Sequence, residues 1–127
     1  MIELIGERDY VPVIHAADYY LSKNLAFFGE GSLSIEFESA SGDAMGIYAR
    51  YIRIETDITI TMPDCSNIVN GIYSDASLSV SGGACVTVNN GAGKYSTAIR
   101  ARNHIDIENG SMLNVSVRPG APIFSEA

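Results

Sequence analysis

The sequence predicts an all-β protein with the architecture of a right-handed, single-stranded parallel β-helix of about four coils, each of about 25 residues. Three observations predict this fold. A short pattern of isoleucine, any residue and a small residue recurs along the chain. Apolar and polar residues alternate between its occurrences, with the period of two that half-buried strands show. Residues 16–21 are the only segment that approaches a helical period.

The recurring pattern marks the first strand of each coil. Its occurrences are separated by 33, 25, 27 and 24 residues. They are Ile14-His15-Ala16, Ile47-Tyr48-Ala49, Ile72-Tyr73-Ser74, Ile99-Arg100-Ala101 and Ile123-Phe124-Ser125. Because successive side chains of a strand point to opposite faces, we expect the isoleucines and the small residues inside and the middle residues outside. A unit this short cannot bury its own apolar face, so stacked units must share one core.

Each unit continues with two more predicted strands and a turn. Ile52-Arg53-Ile54 is a second strand, and Val86-Thr87-Val88 is a third strand. The turns between second and third strands contain Gly31, Gly83 and Gly110, where a positive φ is expected. The predicted coils lie within a single domain of residues 1–127, at approximately 13–45, 46–70, 71–97 and 98–122.

The main alternative fold is an antiparallel β-sandwich, which also spaces short strands regularly. A sandwich gives no reason for "GIYA" at 46–49 to return as "GIYS" at 71–74, one coil later. The charges of Arg50, Asp75 and Arg102 also alternate at equivalent positions. Because opposite charges on neighbouring strands attract, this alternation favours the parallel stack.

Composition excludes several classes of partner. The chain has a net charge of −7 and a pI of about 4.6, which makes nucleic acid a poor partner. No run approaches the roughly 20 apolar residues of a membrane span, and the N-terminus lacks the pattern of a signal peptide. The compartment stays open: extracellular or cell surface for a domain of a longer protein, cytoplasmic otherwise. Cys65 and Cys85 are predicted to be free, buried thiols.

Catalytic and metal-binding residues are few. His15 and His104 lie in distant units, so neither a metal site nor a cofactor is predicted. A polysaccharide lyase would need a cluster of carboxylates for Ca²⁺ and a base. Glu36 and Glu38 could meet Glu55 or Asp57 across one coil step, which would supply carboxylates from two coils only. A lyase is therefore the third hypothesis, and a non-catalytic protein is preferred.

The outward residues of the first strands, here called the outer ladder, carry the binding hypothesis. They are His15, Tyr48, Tyr73, Arg100 and Phe124. Aromatic side chains on one wall suit the apolar face of a sugar ring, and an arginine can donate hydrogen bonds to hydroxyls. Aromatic ladders also stabilise sheets simply by packing on each other. Both interpretations, a sugar site and a structural ladder, stay open from the sequence.

Three strings carry a resemblance to a known family. They are "FGEGSLSIEF" at 28–37, "GIYSDASLSVSGGACVTVNN" at 71–90 and "AIRARNHIDIENGSMLNVSV" at 98–117. They resemble the repeats of bacterial carbohydrate-binding β-helix proteins, which are pectate-lyase-like in fold. The resemblance covers about residues 13–125 and implies extracellular polysaccharide binding without catalysis.

The sequence thus predicts a non-catalytic binding or surface module whose partner is a polysaccharide. The second hypothesis is a structural or assembly protein without a small ligand. A β-helix has unpaired backbone groups at its ends, so copies could associate end to end through open coils as a homo-oligomer.

Overall fold

A computed structural model of the chain describes residues 2–6, 14–16, 24–37, 42–117 and 124–125, with side chains for 24–37 and 42–116. The described residues form strands and turns and include no helix, hence none that could cross a membrane. The strands are β1 (Ile2–Gly6), β2 (Ile14–Ala16), β3 (Asn24–Phe27), β4 (Ser32–Phe37), β5 (Ala44–Ile54), β6 (Asp57–Thr61), β7 (Ile68–Val80), β8 (Cys85–Asn90), β9 (Tyr95–Ala101), β10 (His104–Ile107), β11 (Met112–Val117) and β12 (Phe124–Ser125).

The strands form two sheets in which all pairings are parallel. The five-stranded sheet has the order β1-β4-β6-β8-β11. The seven-stranded sheet has the order β12-β9-β7-β5-β2; in addition β3 pairs with β5, and β10 pairs with β7. Because the chain alternates between the sheets and advances one strand each time, it winds as a β-solenoid.

The predicted fold class is confirmed, with about three turns in place of about four coils. The first and last predicted coils, 13–45 and 98–122, include residues outside the described ranges. The domain boundaries therefore stay a prediction. β1 pairs with β4 from Ile2 opposite Leu33 onward, so the first residues of the chain continue the five-stranded sheet.

The register between first strands is the one that the repeat predicts. Ile47 on β5 pairs with Ile72 on β7, and Ile72 pairs with Ile99 on β9. In-register parallel pairing places equivalent side chains about 4.8 Å apart, one above the other. These three isoleucines are fully buried and form one column of the core. Burying each such side chain contributes about 1.5–3 kcal/mol.

Small residues line the inner side of the bend that follows each first strand. Ala49, Ser74 and Ala101 are fully buried there, as predicted. Between Ser74 and Ser77, β7 has one residue more than the matching part of β5, so the register shifts by one. The Ser74 hydroxyl lies 2.6 Å from the carbonyl oxygen of Arg50 and 3.0 Å from that of Ser77. The buried hydroxyl therefore binds backbone carbonyl groups at the bulge.

Glycines serve two different purposes in the coil. Gly31, Gly83 and Gly110 have φ values of 104°, 74° and 86°, which confirms the predicted turns. Gly46, in contrast, lies inside β5 and is buried. A Cβ there would lie 2.5 Å from the carbonyl oxygen of Gly71, so the close approach of two strands requires glycine.

Replacing Gly71 by alanine tests this close approach. A Cβ at Gly71 would lie 2.6 Å from Val88 Cγ1 and 2.7 Å from the carbonyl oxygen of Ala98. Because overpacking a dense core typically costs about 1–3 kcal/mol, we expect Gly71→Ala to lower the free energy of unfolding by that amount. Urea unfolding measures it. The control is Ser79→Ala on the outer face of the same strand, expected to change stability by less than about 0.5 kcal/mol. Equal stability of the two variants would contradict the packing argument.

Candidate functional site

The structure brings three residues of the outer ladder together as a stack, here called the tyrosine column. Tyr48 on β5, Tyr73 on β7 and Arg100 on β9 occupy paired positions. The rings of Tyr48 and Tyr73 stack, with centroids 5.0 Å apart and planes 26° apart. The guanidinium carbon of Arg100 lies 5.2 Å from the centroid of Tyr73. All three side chains are half-buried on the outer face of the seven-stranded sheet.

The other two residues of the outer ladder are placed by their backbone alone. His15 pairs with Tyr48, and Phe124 pairs with Arg100, so both lie at the expected positions of the outer ladder. Their side chains lie outside those that the structure describes. The order of the outer ladder along the sheet is therefore as predicted, whereas ligand binding by its residues stays a prediction.

Hydrogen bonds hold the hydroxyl groups of the tyrosine column in place. The Tyr48 hydroxyl donates to Asp75 Oδ2 at 2.6 Å. Partial burial, with the hydrogen bond to Asp75 and the charge of that carboxylate, raises the pKa of Tyr48 to about 12. A hydrogen bond with Tyr73 raises the pKa of the Arg102 guanidinium. The phenol of Tyr48 thus stays protonated through the physiological range, and its hydroxyl is held in one orientation.

The stacking decides which parts of the tyrosine column a ligand can reach. Because β7 lies between β5 and β9, Tyr73 has Tyr48 on one side and Arg100 on the other. The ring faces within the stack are therefore covered, while its outer edge of hydroxyl and guanidinium groups stays accessible. A ligand on this wall would meet a polar edge on a rigid, partly apolar support.

The outer face of this sheet also concentrates positive charge. The chain has eight Lys and Arg residues and a net charge of −7. Among the described residues, four arginines lie on or beside this face: Arg50, Arg53, Arg100 and Arg102. Arg100 is half-buried, and the other three are exposed. The face is therefore much less acidic than the chain as a whole.

A groove on the same sheet was missed by the sequence reasoning. It has a volume of about 530 Å³ and lies over the second half of β7. Seven of the side chains that line it are polar and belong to the neighbouring strands β3, β5, β7 and β10: Asn24, Tyr51, Arg53, Ser77, Ser79, His104 and Asp106. We call it the serine groove, because its floor on β7 consists of serines. Comparing the sizes of the outward side chains on the second strands of successive coils could have revealed it from the sequence.

The wall of the serine groove on β10 is held by two polar contacts. His104 Nδ1 lies 3.3 Å from Ser77 Oγ, and His104 Nε2 lies 3.0 Å from Asp106 Oδ2. The side chains of His104 and Asp106 are 59% and 69% exposed. Because exposed pairs of this kind contribute little energy, the contacts mainly orient the imidazole ring. The sequence alone did not bring a Ser, a His and an Asp together.

The structure separates two of the acidic residues that a lyase cluster would use. Glu36 on β4 pairs with Thr61, while Asp57 pairs with Ser32 at the other end of the same two strands. Four residues of strand, or about 13 Å, lie between Glu36 and Asp57, so these two do not meet; Glu38 lies outside the described residues. Among the side chains that the structure describes, no group of three His, Cys, Asp or Glu residues could hold a metal ion.

Both cysteines are free, as the sequence predicts. Cys65 and Cys85 are half-buried, however, and not buried as expected. Cys65 packs against the core, and Cys85 Sγ lies 3.5 Å from Asn114 Nδ2. Neither thiol lies against the serine groove or the tyrosine column.

Comparison with protein-family models, with curated proteins and with solved structures finds no match for this chain. The architecture is established by the strand pairings themselves. The polysaccharide hypothesis rests on the outward residues of the seven-stranded sheet and on the sequence resemblance of the repeats.

The raised pKa of Tyr48 makes stability depend on alkaline pH. Because the folded protein holds the Tyr48 proton more tightly than the unfolded chain, this stabilisation is complete below about pH 10 and is lost as pH rises through about 12. Asp75→Asn removes the neighbouring charge, so the pKa of Tyr48 should fall part of the way to its ordinary value. Ultraviolet absorption of tyrosinate during titration measures it, and Tyr48→Phe identifies the step. An unchanged late step in Asp75→Asn would contradict this role of Asp75.

Proposed function

We propose that the protein is a non-catalytic binding module that holds an extended polysaccharide on the outer face of the seven-stranded sheet. The observation that supports this function most directly is the tyrosine column, three planar side chains stacked on successive rungs. Its rungs repeat at about 4.8 Å, close to the length of one pyranose unit in an extended chain. A polymer lying along the stack would therefore meet a hydroxyl or guanidinium group at each of the three positions.

The chemistry at the edge of the tyrosine column suits sugar hydroxyls. Each hydroxyl both donates and accepts hydrogen bonds, and partners of both kinds are present. Arg100 and Arg102 donate only, Asp75 accepts only, and the phenol of Tyr73 does both. Since these groups are already stacked or hydrogen-bonded to each other, little side-chain entropy is lost when a ligand binds.

Charge supports the choice of this face over the remainder of the surface. The arginines of the face offset its carboxylates, whereas the chain as a whole is acidic. A polysaccharide with scattered carboxylates, as many bacterial and plant polymers have, is then not repelled at the point of contact.

Binding on a glycan array tests the proposal. We expect at least one polysaccharide to bind, with up to about tenfold weaker affinity for Tyr73→Ala, because a lost hydrogen bond from the phenol typically costs about 0.5–1.5 kcal/mol. Arg100→Gln should weaken binding while leaving the tyrosine stack in place. Tyr95→Ala is the control, since Tyr95 is an exposed tyrosine of β9 outside the column. Circular dichroism shows whether each variant is folded.

Two outcomes would contradict the proposal. Absence of binding to every glycan would remove polysaccharide as the ligand. Equal binding by wild type, Tyr73→Ala and Arg100→Gln would leave the tyrosine column as a purely structural ladder.

A second function, end-to-end assembly, is favoured by a different observation. Ile107 on β10 pairs with the buried Val80, yet it is 46% exposed. The core column of Ile54, Val80 and Ile107 thus reaches the surface at this end of the described strands. Met112, at an outward position opposite Cys85, adds a second exposed apolar side chain, 55% exposed. Since an exposed apolar strand can pair with another chain, a second copy of the protein is a fitting partner.

Light scattering over a range of protein concentrations tests this assembly. We expect a mass that rises with concentration and falls back toward the monomer in Ile107→Lys, because a charge in an apolar contact must be desolvated. Thr87→Lys, an outward substitution on β8, is the matched control for added charge. A strict monomer at high concentration would contradict the assembly function.

A further inference from the structure

The shape of the serine groove follows from the side-chain sizes at successive rungs. In one column of the outer face, Tyr51, Ser77 and His104 occupy paired positions on β5, β7 and β10. In the next column, Arg53, Ser79 and Asp106 do the same. In both columns β7 contributes the small residue and its neighbours contribute large ones. The groove therefore lies where β7 presents smaller side chains than the strands on either side of it.

The tyrosine column shows what fills such a rung elsewhere on the same strand. There, β7 contributes Tyr73, whose ring occupies the space between Tyr48 and Arg100. Over Ser77 the flanking strands β5 and β10 are two rungs apart, or about 9.6 Å. This separation leaves room for one saturated six-membered ring with van der Waals contact on both sides. A ring-shaped ligand can thus take the place that a tyrosine takes in the neighbouring column.

The polar groups of the serine groove restrict the kind of ring. Arg53 can only donate hydrogen bonds, Asp106 can only accept them, and Ser77 and Ser79 do both. A ligand with several hydroxyls can satisfy all of them. An apolar ring would remove water from these charged groups without offering them a hydrogen bond in return, which is costly. An anion would be attracted by Arg53 but repelled by Asp106 across the groove.

The remaining wall is aromatic. Tyr51 is 43% exposed, and the guanidinium carbon of Arg50 lies 5.5 Å from its ring centroid. Such a ring offers the apolar C–H face of a sugar a flat contact, while its neighbours offer hydrogen bonds.

From this arrangement we propose that the serine groove binds one neutral pyranose unit, its apolar face on Tyr51 and its hydroxyls on Arg53, Ser79 and Asp106. The ligand class rests on the proposed polysaccharide function, and the unit in the groove is a residue or branch of that polymer. The groove and the tyrosine column lie on the two halves of β5 and β7, so the two sites are separately mutable.

The test uses the full chain and short neutral oligosaccharides of glucose, mannose and galactose. We expect calorimetry to detect binding of at least one of them. Ser77→Tyr fills the vacant rung with the residue that β7 already carries in the tyrosine column, so we expect a folded protein with at least tenfold weaker binding. Tyr51→Ala should weaken binding by about tenfold as well. Thr87→Tyr, an outward tyrosine on the other sheet, is the control and should bind like wild type.

The outcomes separate this inference from the proposed function. If Tyr73→Ala weakens polysaccharide binding but Ser77→Tyr leaves oligosaccharide binding unchanged, the groove site is overturned while the polysaccharide function stands. Binding of oligogalacturonate in the groove, with no neutral sugar bound, would overturn the neutral ligand. If no saccharide binds at all, both proposals fall.

Discussion

In-register parallel pairing between successive turns is the constraint on which the structure depends. Backbone hydrogen bonds fix equivalent positions one strand spacing apart, so every inward position must repeat an apolar or small residue. The column of Ile47, Ile72 and Ile99 meets this requirement with three identical side chains. Outward positions are bound by no such rule, and there the chain varies in size, charge and aromatic character. The inward residues determine the fold, and the outward residues form the candidate sites.

The difference between the two candidate sites comes from one strand. β7 runs for 13 residues across both halves of the seven-stranded sheet, with a bulge at Ser74–Ser77. Before the bulge it presents Tyr73, which completes a stack; after the bulge it presents Ser77 and Ser79, which leave a groove. The same strand thus carries a large side chain that fills the space between its neighbours and, beyond the bulge, small side chains that leave this space open. Both lie on the outer face of the seven-stranded sheet, one on each side of the bulge.

The repeat made most of the fold predictable, because strand register follows directly from residues such as Ile47, Tyr48 and Ile72. The tyrosine column was predictable for the same reason. The serine groove was not, because a groove depends on the sizes of side chains on three strands and on the extra residue of the β7 bulge. The separation of Glu36 from Asp57 was not evident from the sequence either: pairing of β4 with β6 starts at Ser32 and Asp57, which places Glu36 at the far end. Gly46 allows a close approach of β5 to Gly71 on the neighbouring strand, a contact that the sequence of a single coil does not reveal.

The distribution of the arginines has a consequence for how the protein moves in solution. Among the described residues, four arginines lie on or beside one face of a protein whose net charge is −7. In the field of a negatively charged surface, an uneven distribution of charge produces a torque before any contact is made. This torque would turn the arginine-bearing face toward the surface. Encounters would thus be biased toward the face that carries both candidate sites, and this bias would weaken as salt shortens the range of the field.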